Sequence, residues 1–292
     1  QIGPLTLNAG DAARVLAAIA GVDSRDATSA TEPVTNWASA LDGDLRGLRI
    51  GVPFAWLDDA VDAGVRLAFE RALDVLRSRG ASVANIDLPR ASLSVPVYHL
   101  IATAEASSNL ARYDGVRYGL RSEEGGTLQE MYERTRDAGL GAEVKRRIIL
   151  GTFVLTAGYH DQYYVQAQRV RTLISRDFQS ALRSVEAIAT PTSPTVAFPL
   201  GERLADPVRM YLADVFTVGA SLAGLPSVSV PGGFGEEGLP VGLQITGRAF
   251  DEATVLRIAD AFERETGYGE REPEVAGQKT EDRRQKTVDR RR

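Results

Sequence analysis

The chain contains no cysteine and only two histidines, His99 and His160, in 292 residues. The first absence removes disulfide frameworks, thiolate nucleophiles and Cys-based zinc sites. The second leaves too few imidazoles for a histidine-rich metal centre. No stretch approaches the roughly 18 consecutive apolar residues that a membrane-spanning helix needs, so no membrane association is expected. No G-x-x-x-x-G-K-[ST] run is present to cradle a nucleotide phosphate, and no G-x-G-x-x-G opens a helix after a strand. Gly219-Ala220-Ser221-Leu222-Ala223-Gly224 misses the G-x-S-x-G spacing by one residue. A Ser-His-Asp triad would need His99 or His160, whose aromatic and apolar neighbours suit a packed or surface histidine better.

What is present is ordinary globular composition, 43% hydrophobic and 25% charged. A chain of this length has material for one large domain or two ordinary ones. The net charge of −5 is unevenly placed. Residues 277–292 hold seven Lys/Arg against Glu281, Asp282 and Asp289, which leaves the rest strongly acidic. An acidic body is a poor stand-alone binder of nucleic acid. Gln1-Ile2-Gly3-Pro4 has neither signal- nor transit-peptide character and no initiator Met. The chain is therefore expected to begin within something larger, in a cytoplasmic setting that its lack of cysteine fits.

Hydrophobic periodicity supplies the elements. Ala12–Ala20 reads as a helix capped by Asp11 and stopped by Gly21. Asp23–Leu45 reads as a polar loop with a short helix near Trp37–Leu41. Leu48–Val52 is an apolar run closed by Pro53, a buried strand. Val61–Arg79 aligns Val65, Leu67, Ala68, Ala72, Val75 and Leu76 on one helical stripe, and Ser82–Leu88 returns as a strand. Strand, helix and strand at that spacing form a parallel crossover unit. Val95–Arg112, Leu128–Ala138, Glu143–Ala157 and Asp161–Val185 all carry the helical period. Ala187–Thr190 is a third strand, Pro207–Ala223 a helix with Pro in its first turn. Val228–Val230 and Val241–Thr246 are two more strands. Glu252–Thr266, capped by Asp251, closes the body at Gly267. The tail 268–292 is a basic segment ending in a tandem heptad, Lys-Thr-Glu-Asp-Arg-Arg-Gln then Lys-Thr-Val-Asp-Arg-Arg-Arg over 279–292. It has no apolar face to offset its ordering entropy, so disorder is expected.

Several runs are more specific than scaffold. They are Ala104–Gly119, with Ser-Ser-Asn-Leu-Ala-Arg-Tyr-Asp-Gly-Val-Arg-Tyr-Gly at its centre, Glu143-Val-Lys-Arg-Arg-Ile, Gln168-Arg-Val-Arg, and Thr190-Pro-Thr-Ser-Pro-Thr. Met210-Tyr-Leu-Ala-Asp-Val-Phe-Thr, Leu222-Ala-Gly-Leu-Pro-Ser-Val-Ser-Val-Pro and Gly238-Leu-Pro-Val-Gly-Leu-Gln-Ile-Thr-Gly follow. In this order they resemble the amidase signature family, and within it the A subunits of glutamyl-tRNA(Gln) amidotransferases, from Gln1 to about Gly267. The resemblance implies an α/β fold, a mixed β-sheet covered by helices, with 1–267 as the C-terminal portion of the amidase-signature domain. It implies glutamine hydrolysis, with the B and C subunits of the amidotransferase as partners. Ammonia would pass to the B subunit, which amidates Glu-tRNA(Gln) using ATP and Mg. No cofactor is implied for this chain, and tRNA is met only through the complex.

The resemblance also implies what is missing. The family's Ser nucleophile, cis-peptide Ser and catalytic Lys lie in a Gly/Ser-rich region with no equivalent among these residues, expected upstream of Gln1. A Ser nucleophile needs an adjacent base, so no catalytic residue is assigned and the chain alone is expected to be inactive. The substrate side remains. Free glutamine carries an α-carboxylate and an α-ammonium, and a planar guanidinium matches a carboxylate bidentately. By position in the matched motifs, Arg147 would hold the carboxylate, Asp214 the ammonium, and Tyr98 would add a hydroxyl. Asp214 is expected to be buried among Leu212, Val215 and Phe216, where an unpaired carboxylate is costly. Polar packing or a contact with another protein of the complex is expected of Ser107, Ser108, Asn109, Arg112, Tyr113, Asp114 and Arg117. The alternatives are another amidase-signature hydrolase of small amides, or a non-catalytic scaffold.

Overall fold

Residues 3–58, 60–123, 126–202, 210–235 and 238–268 are described by a computed structural model. The helices are α1 (Ala9–Ile19), α2 (Phe54–Asp58), α3 (Ala63–Ser78), α4 (Ser94–Leu110), α5 (Leu128–Gly139), α6 (Ala142–Leu155), α7 (Gln166–Ala181), α8 (Val218–Ala223) and α9 (Glu252–Thr266). The strands are β1 (Arg49–Val52), β2 (Ser82–Asn85), β3 (Ala187–Pro191), β4 (Ser227–Phe234) and β5 (Pro240–Thr246). The chain divides into two compact units, one from residues 1–88 and 178–292, the other from 89–177. Of the tail 268–292 predicted to be disordered, Tyr268 is ordered against Phe234 and Phe262, a correction to that expectation, and 269–292 lie outside the described residues.

The first unit carries one mixed sheet in the order β2-β1-β3-β5-β4. β1 pairs parallel with β2 and β3, and β5 runs antiparallel to both β3 and β4. The parallel β1–β2 pair is joined through α3, as the strand–helix–strand spacing predicts. β4 and β5 form a hairpin bent by a bulge at Pro231/Gly233, where Gly233 takes a φ of 127° that suits glycine. Every residue of β3 is buried, as expected of a central strand covered on both faces. The expected α/β architecture, a mixed sheet with helices, is the one observed.

The core of this unit draws on α1, α3, α9 and the sheet. α3 buries Val65, Ala68, Phe69, Ala72, Leu73 and Leu76, and α9 buries Val255, Leu256, Ile258, Ala259, Ala261 and Phe262. Fully burying each large apolar side chain contributes about 1.5–3 kcal/mol. Leu67, expected on the buried stripe, is exposed. The i, i+3, i+4 spacing from Val65 selects Phe69 and Leu73 instead. α1 begins at Ala9 rather than Ala12. Its cap is the extended Asn8, whose Oδ1 accepts from Asp11 N at 2.8 Å, so Asp11 belongs to the first turn. The cap of α9 is Asp251, as predicted, accepting from Thr254 N.

Two long helices predicted from periodicity are broken. Pro207 lies outside the described residues. From Met210 the chain makes a short helical turn with a 3₁₀ segment at Leu212–Asp214, then a non-helical turn, and only then α8. The Phe216 carbonyl is taken by buried Gln244, whose Nε2 donates to it at 2.8 Å. Thr217 donates from both N and Oγ1 to the Asp214 carbonyl at 3.0 Å. These bonds satisfy carbonyls that a continuous helix would use itself. The Asp161–Val185 run likewise opens as a π turn over Asp161–Val165 and ends at Ala181. There Ser184 Oγ caps the Ala181 carbonyl, while Arg248 donates to the carbonyls of Leu182 and Val185 at 2.9 and 2.8 Å.

The second unit is helical. α5 opens with a capping box in which Thr127 Oγ1 accepts from Glu130 N and Glu130 Oε2 accepts from Thr127 N. α4 and α6 pack unusually close because of Gly151. A methyl group there would overlap the Thr103 carbonyl and meet Ser107 Cβ at 2.8 Å. Beside that contact, Ser107 and Thr152 share a hydroxyl–hydroxyl hydrogen bond of 2.9 Å. The long polar run predicted from sequence thus includes a helix–helix contact residue.

Candidate substrate-binding site

Arg147 sits in the middle of α6, one turn after Glu143, and its Nε donates to Glu143 Oε1 at 2.9 Å. Glu143 lies in the first turn of α6, where a carboxylate is favoured by the helix dipole and stands at the better i→i+4 orientation towards a cation. Tyr98 of α4 lies near Arg147 and favours its charged form. The Glu143 hydrogen bond raises the Arg147 guanidinium above its ordinary value; partial burial opposes this, and Tyr98 adds to it. Arg147 is therefore a permanent, oriented cation, with its side chain about 34% exposed. Two of the three expected substrate-side residues, Tyr98 and Arg147, are brought together in the helical unit.

Arg146 is less independent of this group than its neighbouring position suggests, because it also pairs with Glu143. Lys145 faces another helix and pairs with Asp137 of α5 at 2.5 Å, lowering that carboxyl below its usual range. Glu143 is the residue that sequence reasoning missed. Its spacing of four before Arg147 was the available signal.

Asp214 belongs to the sheet unit, and here the structure corrects the sequence reading. It ends the 3₁₀ segment Leu212–Asp214 with an exposed side chain, so the argument from a costly buried carboxylate does not hold. The apolar stripe assumed a continuous helix. With that helix broken, Leu212 is also exposed while Phe216 is fully buried.

The remaining motif residues shape backbone. Asp114 Oδ1 accepts from Val116 N at 2.8 Å in a tight turn, and Tyr113 packs edge-on against Tyr118. Gly115, at φ 77°, lies against Thr135 of α5, whose Oγ1 also accepts from Ser122 N. Arg112, Tyr113 and Arg117 are exposed. In the sheet unit the Pro-Thr-Ser-Pro and Gly-Leu-Pro-Val-Gly-Leu-Gln runs meet across β3, β5 and β4. Gln244 Nε2 donates to Thr190 Oγ1 at 3.2 Å, Thr192 Oγ1 bonds Ser229 Oγ at 2.6 Å, and Ser227 Oγ bonds Thr246 Oγ1 at 2.8 Å. These two motifs thus form a polar row of side-chain hydrogen bonds through the sheet.

A family model described as Amidase matches residues 1–256. The chain belongs to the amidase family. This amidase chain is 56% identical over 268 residues to the A subunit of the glutamyl-tRNA(Gln) amidotransferase of Anaeromyxobacter dehalogenans, covering 91% of this chain and 54% of that protein. The crystal structure of the glutamyl-tRNA(Gln) amidotransferase A subunit from Thermotoga maritima superposes with a TM-score of 0.73 at 39% identity, covering 95% of this chain and 56% of that one. The peptide amidase of Stenotrophomonas maltophilia gives a TM-score of 0.68 at 28% identity, covering 94% and 55%. The amidase chain therefore spans about half the length of the relatives it matches. Among the described residues, no helix is long and apolar enough to cross a membrane.

Proposed function

We propose that this chain is the glutamine-recognising portion of the A subunit of a glutamyl-tRNA(Gln) amidotransferase. In this reading Arg147 binds the α-carboxylate of glutamine and Tyr98 adds a hydroxyl beside it. Hydrolysis of the side-chain amide yields glutamate and ammonia through a Ser–Ser–Lys set that these 292 residues do not contain. The ammonia passes to the B subunit, which uses ATP and Mg to amidate Glu-tRNA(Gln) in the cytoplasm, and a C subunit takes part in the same complex. The observation that carries the reading is the charged recognition group, an arginine oriented by Glu143 and Tyr98. It stands in a chain that is 56% identical to a protein of that name. A hydrolase of small uncharged amides has no use for a fixed guanidinium, and the peptide amidase is only 28% identical.

The test uses a full-length amidase carrying this segment. Arg147→Leu leaves the substrate carboxylate without its partner, a loss of about 2–4 kcal/mol at a partly solvated site. At about 1.4 kcal/mol per tenfold, glutaminase kcat/KM falls roughly thirty- to several-hundred-fold. Lys145→Leu is the control, and a small amide lacking both charges loses little with either variant. Equal and mild effects of Arg147→Leu and Lys145→Leu on glutamine would favour the small-amide hydrolase.

A further inference from the structure

Resting on the glutamine reading above, we propose that Glu143 is a positioning residue that fixes which edge of Arg147 meets the substrate carboxylate. A guanidinium can grip a carboxylate side-on, through Nε and one Nη, or end-on, through both Nη atoms. In this chain Nε is already committed to Glu143 Oε1 at 2.9 Å. The side-on edge is therefore closed, and the end carrying Nη1 and Nη2 is the one a carboxylate can meet bidentately. Glu143 is fixed in its turn. It stands in the first turn of α6, and its second carboxylate oxygen pairs with Arg146. Tyr98 of α4 lies near the guanidinium, and Gly151 sets the spacing of α4 and α6 by admitting the Thr103 backbone where any side chain would collide. Contacts from two helices at a fixed separation define the guanidinium plane before substrate arrives, which is the condition for a recognition group to bind without reorganising.

The negative charge has a second consequence. Glu143 also pairs with Arg146 through its other oxygen, so the two adjacent guanidiniums share one carboxylate.

The experiment measures KM and kcat for glutamine in a full-length amidase carrying this segment, with Glu143→Ala, Glu143→Gln, Arg147→Lys and the Glu143→Ala/Arg147→Lys pair. Glu143→Ala is expected to raise KM about three- to tenfold, the scale of a partly exposed ion pair, while kcat stays within about twofold. Glu143→Gln keeps an acceptor for Nε and restores most of the affinity, which a general loss of helix stability would not reproduce. Arg147→Lys has no Nε edge to close, so adding Glu143→Ala to it changes KM by less than about twofold. An amide substrate without an α-carboxylate shows no change in KM with any Glu143 variant. Positioning is overturned if Glu143→Ala leaves the glutamine KM unchanged, if it lowers kcat as strongly as it raises KM, or if its effect persists undiminished on Arg147→Lys. If instead Arg147→Leu itself leaves the glutamine KM unchanged, the glutamine reading fails and the positioning role fails with it.

Discussion

In the sheet unit, Phe216, Phe262, Leu73, Ile188, Leu243 and Ile258 are sealed from solvent, whereas among the largest fully buried side chains described in the protein only Ile174 lies in the helical unit. The helical unit instead displays Ile149, Leu150, Phe153, Tyr159 and Tyr163 at its surface, the last three with their rings stacked at 4.6–6.1 Å. The motifs divide the same way. In the sheet unit the Pro-Thr-Ser-Pro and Gly-Leu-Pro-Val-Gly-Leu-Gln runs meet in side-chain hydrogen bonds, from the buried Gln244–Thr190 bond to the exposed Thr192–Ser229 bond. The helical unit holds the run Glu143-Val-Lys-Arg-Arg-Ile, which places Glu143 and Arg147 one turn apart on α6.

The comparison predicts unequal costs for truncating large side chains, and this is the largest stability effect expected. Phe262→Ala removes a ring that is fully buried and 6.2 Å from that of Tyr268, at a cost of about 3–5 kcal/mol in urea or thermal unfolding. Ile149→Ala, at a residue 71% exposed, is expected to stay within about 0.5 kcal/mol. A loss of several kcal/mol at Ile149 would mean that the aromatic surface is covered in the folded protein, and the contrast between the regions would collapse.

How much of this was legible beforehand follows from the range of the forces involved. α9, with its Asp251 cap, and the β1–β2 crossover are set by local periodicity and capping, and the sequence reading placed them to within a few residues. The break before α8 was not legible, because the Phe216 carbonyl is captured by Gln244, 28 residues later in the chain. The same break undid the burial argument for Asp214. Arg147 and Tyr98 were found through motif position, but their pairing depends on the α4–α6 approach at Gly151, a tertiary contact that neither run reveals alone. The choice between Asn8 and Asp11 as a cap was a choice between two good capping residues three apart. It was settled by the extended backbone of Asn8.

A smaller effect tests whether the two regions unfold together. Gly151→Ala drives a methyl group into the Thr103 backbone, and the helices must separate, at a cost of about 1–3 kcal/mol. Amide hydrogen exchange is expected to accelerate across α4 and α6 while β1, β3 and β5 keep their protection. The glutamine KM of a full-length amidase carrying the variant should rise as Tyr98 draws away from Arg147. Equal loss of protection in the sheet would show a single cooperative unit and break the comparison.

The smallest effect lies in the sheet unit and depends on pH. Glu263 of α9 accepts a hydrogen bond from Ala9 N, at the start of α1, at 2.7 Å. Burial is the main influence on its carboxyl and raises it above the ordinary value of 4.5; the Asp260 carboxylate raises it further, while the Ala9 hydrogen bond works in the opposite direction. A carboxyl whose folded value is raised favours the folded state when protonated. Its stabilising contribution is fully present below about pH 4.5 and is lost as pH rises through the raised folded value. Glu263→Gln keeps an acceptor for Ala9 N and removes the charge. It should therefore be more stable than the parent at neutral pH, by under about 1 kcal/mol for a half-buried group, with the difference vanishing towards pH 4. Parallel urea titrations at pH 4 and pH 7.5 measure it. A variant less stable than the parent at pH 7.5 would mean that the charged hydrogen bond to α1 outweighs the burial of the carboxylate, and that this junction is held by polar pairing like the helical unit.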